Sequence, residues 1–407
     1  MDSTLRINKY LPFALLYFFF NSAFLPLGLL YTTLLTPLFL LWLYQQNRIK
    51  YLWGFFLITI PFALVQYFQG IDLKYYIRSY LLFFSVFVFI LTVIQFVKVS
   101  HSLRMIFRQL LILNTLFVAL ACILFFIPQA RLYMWSVYDI STGILKFPRL
   151  SMFTYEPSYY STLLVPIAFY YYLKMLLFKL PDYRLILCMV TIPLILSFSL
   201  GVISGILISL CILFFANIRT FFLKKGVIEY TLITIFILIG TYTIFYFTYP
   251  GNPLFYRIHN IFEGKDTSFK GRSFDAYYLA WKVAQEKSIW FGVGLGQVKV
   301  LGAEIWNTFY NFIFPVNEIT IPNAVAETMA IYGITGLIIR FAIEGYFFFY
   351  TKPYTNYFRL GLFIYIFIYQ FTGSYFFNLA EYVIWILAFS QVFEEFNKKN
   401  IQIKSPL

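Results

Sequence analysis

The sequence predicts an all-α, polytopic integral membrane protein, and three observations carry that reading. The 407 residues are 61% hydrophobic and 12% charged, whereas soluble domains run near a quarter charged. Apolar runs of roughly 17–25 residues, the length that crosses a hydrocarbon core, recur about twelve times. Short basic turns separate them. A soluble globule of this size has too few charges here to cover its surface.

In chain order the runs fall at 10–25, 27–44, 51–69, 75–97 and 106–127, then at 158–178, 183–199, 201–218 and 227–248, and finally at 322–349, 357–373 and 376–393. The first two form a tight hairpin, as do the seventh and eighth. No linker, low-complexity tract or internal repeat divides the chain, so residues 1–407 read as one transmembrane domain. The 52 Phe suit lipid-facing positions and the 35 Tyr suit membrane interfaces. Cys122, Cys188 and Cys211 lie in apolar runs without metal-ligand spacing, and they read as packing residues. The first run has no small-residue cleavage site and leads straight into more membrane, so no cleaved signal peptide is expected.

Charge sets the expected orientation. Lys and Arg crowd the turns of one side: Arg6, Lys9, Arg48, Lys50, Lys98, Arg104, Arg108, Lys174, Lys179, Arg184, Arg219, Lys224, Lys225, Lys352, Arg359, Lys398, Lys399 and Lys404. The short loops of the other side hold Lys74, Arg78, Arg131, Lys146 and Arg149. The positive-inside rule then places both termini in the cytoplasm and the 128–157 and 249–321 loops outside; long loops are discounted because they translocate regardless of charge. The same bias accounts for most of the net charge of +14, so nucleic acid is not an expected partner.

The 249–321 loop is the one long interruption of the apolar pattern. Ser273 stands where it can cap a helix, and Phe274, Tyr277, Tyr278, Trp281 and Ala284 then recur at helical spacing, with Lys282, Gln285, Glu286 and Lys287 mainly opposite. An amphipathic helix on the membrane surface or over a cavity is expected. It ends at Gly292-Val293-Gly294-Leu295-Gly296, read as a flexible turn that lets backbone approach a ligand. No strand precedes these glycines, which excludes a dinucleotide fingerprint. Arg272 lies just before the helix start. Free N–H groups plus a guanidinium fork suit a diphosphate there; the alternative is an arginine facing lipid headgroups.

In the 128–157 loop, Arg149 and Glu156 precede a span, with Pro157 at a tolerated first-turn position. The Glu156 carboxylate is either a dipole-stabilising cap or a catalytic group. Glu327, Arg340 and Glu344 lie inside an apolar run, where charge is costly unless paired or in a polar cavity. Arg340 and Glu344 are spaced i, i+4 and are expected to pair, which leaves Glu327 for a cavity role and Glu381 as a weaker candidate. His259 and His101 lack metal-ligand spacing, and the chain has no D-x-D, H-E-x-x-H, Walker or G-x-S-x-G motif. Catalysis is therefore expected without a nucleotide, a tightly held metal or any other cofactor.

The order of motifs resembles the bacterial O-antigen polymerases (Wzy-type), within the superfamily that also holds the O-antigen ligases. The residues that carry the resemblance are Arg149, Glu156, Pro157 and Ser158 before a span; Ser197, Ser199 and Gly201 in a hairpin; Gly271, Arg272, Trp281, Gly292, Gly294 and Gly296 in the long loop; and Asn323, Ala326, Glu327, Gly333 and Gly336 opening the next span. They cover roughly residues 145–345, together with the span count. Pro322 stands where ligases carry the histidine of a His-Asn pair, and Leu200 stands where the hairpin motif carries arginine. Both departures favour a polymerase over a ligase.

The resemblance implies a lipid-linked-sugar glycosyltransferase of GT-C-like architecture in the bacterial inner membrane. A growing glycan would pass from undecaprenyl diphosphate onto the non-reducing end of an undecaprenyl-diphosphate-linked repeat unit. The implied partners are that lipid-linked oligosaccharide, the bilayer and a chain-length regulator. Arg272 matches the family's loop arginine; Arg149, Arg257, Asn323, Tyr155 and His259 complete the expected substrate and diphosphate set. Glu156 is the first candidate for the base and Glu327 the second. A flippase for the same lipid-linked units is the competing class, although transporters usually show internal repeats and short outer loops.

Overall fold

The computed structural model describes residues 10–26, 29–99, 103–138, 146–178, 180–217, 247–249, 251–316 and 319–403. Five helices are long and apolar enough to cross a membrane: Ile49–Phe68 (α3), Leu73–Val99 (α4), Leu103–Leu124 (α5), Pro157–Leu177 (α6) and Ala324–Thr351 (α13). Shorter apolar helices are Leu11–Phe20 (α1), Tyr183–Ser197 (α7), Leu200–Ala216 (α8), Tyr357–Tyr369 (α14) and Leu379–Phe389 (α15); Thr36–Gln45 (α2) is another apolar helix. The long loop folds into Pro253–Phe262 (α9), Thr267–Arg272 (α10), Phe274–Gln285 (α11) and Val298–Tyr310 (α12). The helical membrane class therefore stands, while five full-length spans are present among the described residues where about twelve were expected. The expected span 227–248 lies outside the described residues except for its last two.

The all-α expectation needs one correction. Within the 128–157 loop, Trp135–Tyr138 (β1) pairs antiparallel with Phe147–Leu150 (β2), and Arg149 sits opposite Ser136. Two four-residue stretches, one of them carrying Pro148, gave too weak a pattern to read as strands.

Helix α6 is the centre of the bundle and is buried along nearly its whole length. It packs against α7, α8, α14 and α15. Its polar side chains turn back on their own helix: Ser161 Oγ donates to the Pro157 and Ser158 carbonyls, and Thr162 Oγ1 to the Ser158 carbonyl. These two hydroxyls thereby find their partners within the helix. Close approach comes from small residues, as in other helical membrane proteins. A methyl group on Gly361 of α14 would meet the Phe169 ring of α6 at 2.9 Å, and one on Gly205 of α8 would meet Tyr365 of α14 at 2.9 Å.

Helix α13 is broken at Gly333, which has φ 66° and ψ −163°. The 249–321 loop splices into that break. Val293 and Gly294 N–H donate to the Ala330 and Ile331 carbonyls, while Ile334 and Thr335 N–H donate to those of Ile289 and Trp290. Gln66 of α3 closes the joint, its Nε2 donating to the Phe291 and Ile331 carbonyls at 3.0 and 2.9 Å. A methyl group on Gly292 would meet the Ile331 backbone at 2.4 Å, and one on Gly333 would meet the Trp290 backbone at 2.4 Å. Gly292, read in sequence as part of a ligand-approaching turn, approaches the chain's own backbone. The joint supplies internal partners for peptide groups freed at the break.

The expected pair Arg340–Glu344 is present at 3.1 Å and belongs to a larger network. Arg340 also donates to Gln370 Oε1 at 2.9 Å and Thr328 Oγ1 at 3.0 Å, and Gln370 Nε2 donates to Glu344 at 3.0 Å. Contacts also sort the loops by end. The 128–157 and 249–321 loops meet through Glu156 and Arg272. At the other end, Arg104 pairs with Glu395 at 2.6 Å, Asn356 bonds Asn397 at 2.8 Å, and Arg359 donates to the Thr351 and Ala388 carbonyls at the ends of α13 and α15.

Candidate functional site

Four segments distant in sequence meet where the 128–157 and 249–321 loops come together. Glu156 takes the N-cap position of α6, but its side chain makes no capping bond. Thr154 Oγ1 holds the Glu156 carbonyl at 3.0 Å. The carboxylate is therefore free to reach Arg272, whose Nη2 lies 3.3 Å from Glu156 Oε1. Both side chains keep a partial opening, 29% exposed for Arg272 and 28% for Glu156. Glu156 thus stands at the N-terminus of α6, where its charge suits the helix dipole, and its hydrogen bond goes to Arg272.

Arg272 is the last residue of α10, and Asp266 explains its position. Asp266 Oδ1 caps α10 by accepting from Phe269 N at 2.7 Å, and Asp266 Oδ2 lies 3.2 Å from Arg257 Nε. One buried carboxylate thus fixes two arginines, one through an ion pair and the other through the short helix it starts. Ser273, expected to cap α11, occupies the N-cap position without a capping bond, because its hydroxyl donates back to the Phe269 carbonyl at 2.7 Å.

The hairpin between α7 and α8 anchors the remaining cation. Phe198 adopts a left-handed φ of 49°, which ends α7 and leaves carbonyls unused. Arg149 Nε donates to the Ser197 carbonyl at 2.9 Å, and Arg257 Nη1 to the Phe198 carbonyl at 3.5 Å. The Arg257 guanidinium also lies 5.9 Å from the Phe198 ring centre. The Ser197–Phe198 turn therefore holds both arginines through its backbone carbonyls.

The three guanidinium groups feel one another. Burial first, then neighbouring Arg257, pushes the Arg149 guanidinium down to about 10. Burial, relieved in part by Asp266, lowers that of Arg257. Burial also opposes the charge on Arg272, but Glu156, joined by Tyr369 and Tyr375, outweighs this and raises it above its ordinary value. Three cations facing two carboxylates leave a local excess of positive charge, a setting in which an anionic ligand relieves both desolvation and mutual repulsion.

A narrow cleft beside Arg272 and Glu156 is lined by Tyr155, Tyr159, Tyr369, Tyr375, Ser374, Gly373, Pro322 and Asn378. Arg272 lies across Gly373, where a methyl group would come within 3.4 Å of its Nη1. The Tyr155 and Tyr159 rings lie 4.8 Å apart, and Tyr155 is 39% exposed. Arg149 and Arg257 stand behind this wall rather than lining it.

The other expected site residues fall elsewhere. Asn323 is fully buried; its Oδ1 accepts from Ala326 N, and its Nδ2 donates to the Arg272 and Phe371 carbonyls at 2.9 and 2.6 Å. Glu327 Oε2 accepts from Phe376 N at 2.6 Å. His259 pairs with Glu263 at 2.8 Å on an exposed face of α9 and does not line the cleft. Glu381 is buried and accepts from Asn378 Nδ2 at 3.1 Å. Sequence reasoning missed Tyr369, Ser374, Tyr375 and Asp266. Only Asp266 carried a signal, as an Asx residue three positions before the N–H it caps.

No protein-family model matches the chain, and a search of curated proteins finds no relative.

Proposed function

We propose that the chain is a glycosyltransferase that polymerises lipid-linked repeat units, of the O-antigen polymerase type. The observation that carries this reading is Glu156, turned away from the helix it begins and paired with an arginine 116 residues further along. In the proposed reaction the acceptor hydroxyl oxygen attacks the anomeric carbon of the donor glycan. Its C–O bond to the diphosphate breaks, and the electron pair leaves on undecaprenyl diphosphate. Glu156 takes the hydroxyl proton. Arg272, backed by Arg149 and Arg257, holds the charge that grows on the leaving diphosphate; preorganised cations act there without reorganisation. Tyr155 and its neighbours in the cleft offer flat apolar faces to the sugar rings.

The reaction is placed on the outer side of a bacterial inner membrane, with the bilayer supplying both polyprenyl substrates. The test compares membranes that contain the chain with those that contain Arg272→Ala. The unsubstituted chain is expected to yield long lipid-linked glycans, and the variant to leave single repeat units facing outward. Single units held on the cytoplasmic leaflet after deletion of the chain would point to the flippase instead. Transfer of glycan to a lipid A core acceptor would point to a ligase.

A further inference from the structure

The connection 370–378 between α14 and α15 forms the cleft wall opposite Glu156, and it is gripped from one side at two points. Asn323 Nδ2 holds the Phe371 carbonyl at 2.6 Å, and Glu327 Oε2 holds the Phe376 N–H at 2.6 Å. These two side chains lie one helical turn apart at the start of α13. Tyrosines reinforce both grips: Tyr277 Oη donates to the Phe371 carbonyl at 3.2 Å, and Tyr382 Oη to the Phe376 carbonyl at 2.8 Å. Between the grips lie Gly373, Ser374 and Tyr375, which line the cleft. The second Asn323 bond ties the same helix start to the Arg272 carbonyl at 2.9 Å. Below the wall, Gln370 is fixed by Arg340 and Glu344.

We infer that Asn323 and Glu327 are positioning residues that clasp the 370–378 wall at a set distance from Arg272, and that Glu327 takes no proton in the reaction. A carboxylate that accepts a short backbone N–H bond holds a loop as a cap holds a helix. A wall held this way fixes how the acceptor sugar meets Glu156 and Arg272. Releasing it alters acceptor recognition more than the bond-breaking step. The inference rests on the polymerase reading for its kinetic part only, because the clasp itself is a statement about the loop.

The test has two arms in the full-length protein in membranes. The first substitutes Ser374→Cys and follows labelling by a membrane-impermeant maleimide; Ser374 is 4% exposed, so labelling is expected to be slow. The native cysteines lie within apolar helices, and their background is read from the unsubstituted chain. Glu327→Ala is expected to speed labelling about tenfold, and Glu327→Gln, whose amide oxygen still accepts the Phe376 N–H, to keep it slow. The second arm measures transfer. Glu327→Gln is expected to stay within roughly threefold of the unsubstituted chain, and Glu327→Ala to raise the acceptor KM about tenfold with a smaller change in kcat. Equal labelling of Ala and Gln variants would overturn the clasp. A Gln variant that keeps the loop closed yet abolishes transfer would make Glu327 a proton acceptor and overturn the inference on that ground. If the unsubstituted chain transfers nothing, the functional reading fails while the labelling arm still decides the clasp.

Discussion

Glu156 occupies a cap position without capping, and this separates its two sequence alternatives by experiment. The Glu156→Gln variant removes the proton acceptor and weakens the 3.3 Å pair with Arg272, but leaves α6 with no lost cap bond. Transfer is expected to fall by about 10²–10⁴, while thermal unfolding changes by less than about 1 kcal/mol, as for other partly exposed pairs. A large stability loss with transfer intact would return Glu156 to a structural role. Their places in the two loops that interrupt the apolar runs, and the order of motifs, made Glu156, Arg149, Arg257 and Arg272 readable as candidates in the sequence. Their partners were not, because the Ser197 and Phe198 carbonyls that hold Arg149 and Arg257 are backbone groups with no residue signature. His259 shows the opposite error: a rare residue in a polar loop drew notice, yet its partner Glu263 is local and exposed.

Helix α11 shows why element faces are harder to read than element positions. Its existence was legible from spacing, but the face was not. Small residues Ala276, Ala280 and Ala284 pack inward with Leu279 and Val283, while Phe274 is 74% exposed and Tyr278 and Trp281 also look outward. Around a membrane, large aromatics are at home on an outer surface, so hydrophobicity does not equal burial. The spliced break in α13 carries a second expectation. Gly292→Ala forces a side chain into a φ of 68° and onto backbone at 2.4 Å, so unfolding is expected to shift by at least about 1–3 kcal/mol. Gly251→Ala, with nothing within 4 Å, should be silent; equal effects at both sites would contradict the splice. The in-span pair behaves differently again. Arg340→Met strands Glu344 and is expected to cost about 3–5 kcal/mol, and the double variant with Glu344→Met to recover much of that, because the uncompensated charge is gone. Stability of the purified protein in detergent reads both.

At the scale of the whole chain, hydropathy made the membrane class and most helix positions legible, because burial in lipid demands long apolar runs. Among the described residues five helices reach full crossing length, while α7, α8, α14 and α15 are shorter and pack around α6. The 128–157 and 249–321 loops meet through Glu156 and Arg272, and of the three arginines Arg272 alone lines the cleft among the described residues. The account's central claim is that this cationic end hands sugar from one polyprenyl diphosphate to another. The most direct measurement reconstitutes the purified chain in liposomes with one undecaprenyl-diphosphate repeat unit and no added metal, then sizes the glycan. The account expects a ladder of multiples that disappears with Arg272→Ala. Single repeat units left unextended by a folded, correctly inserted chain would contradict it.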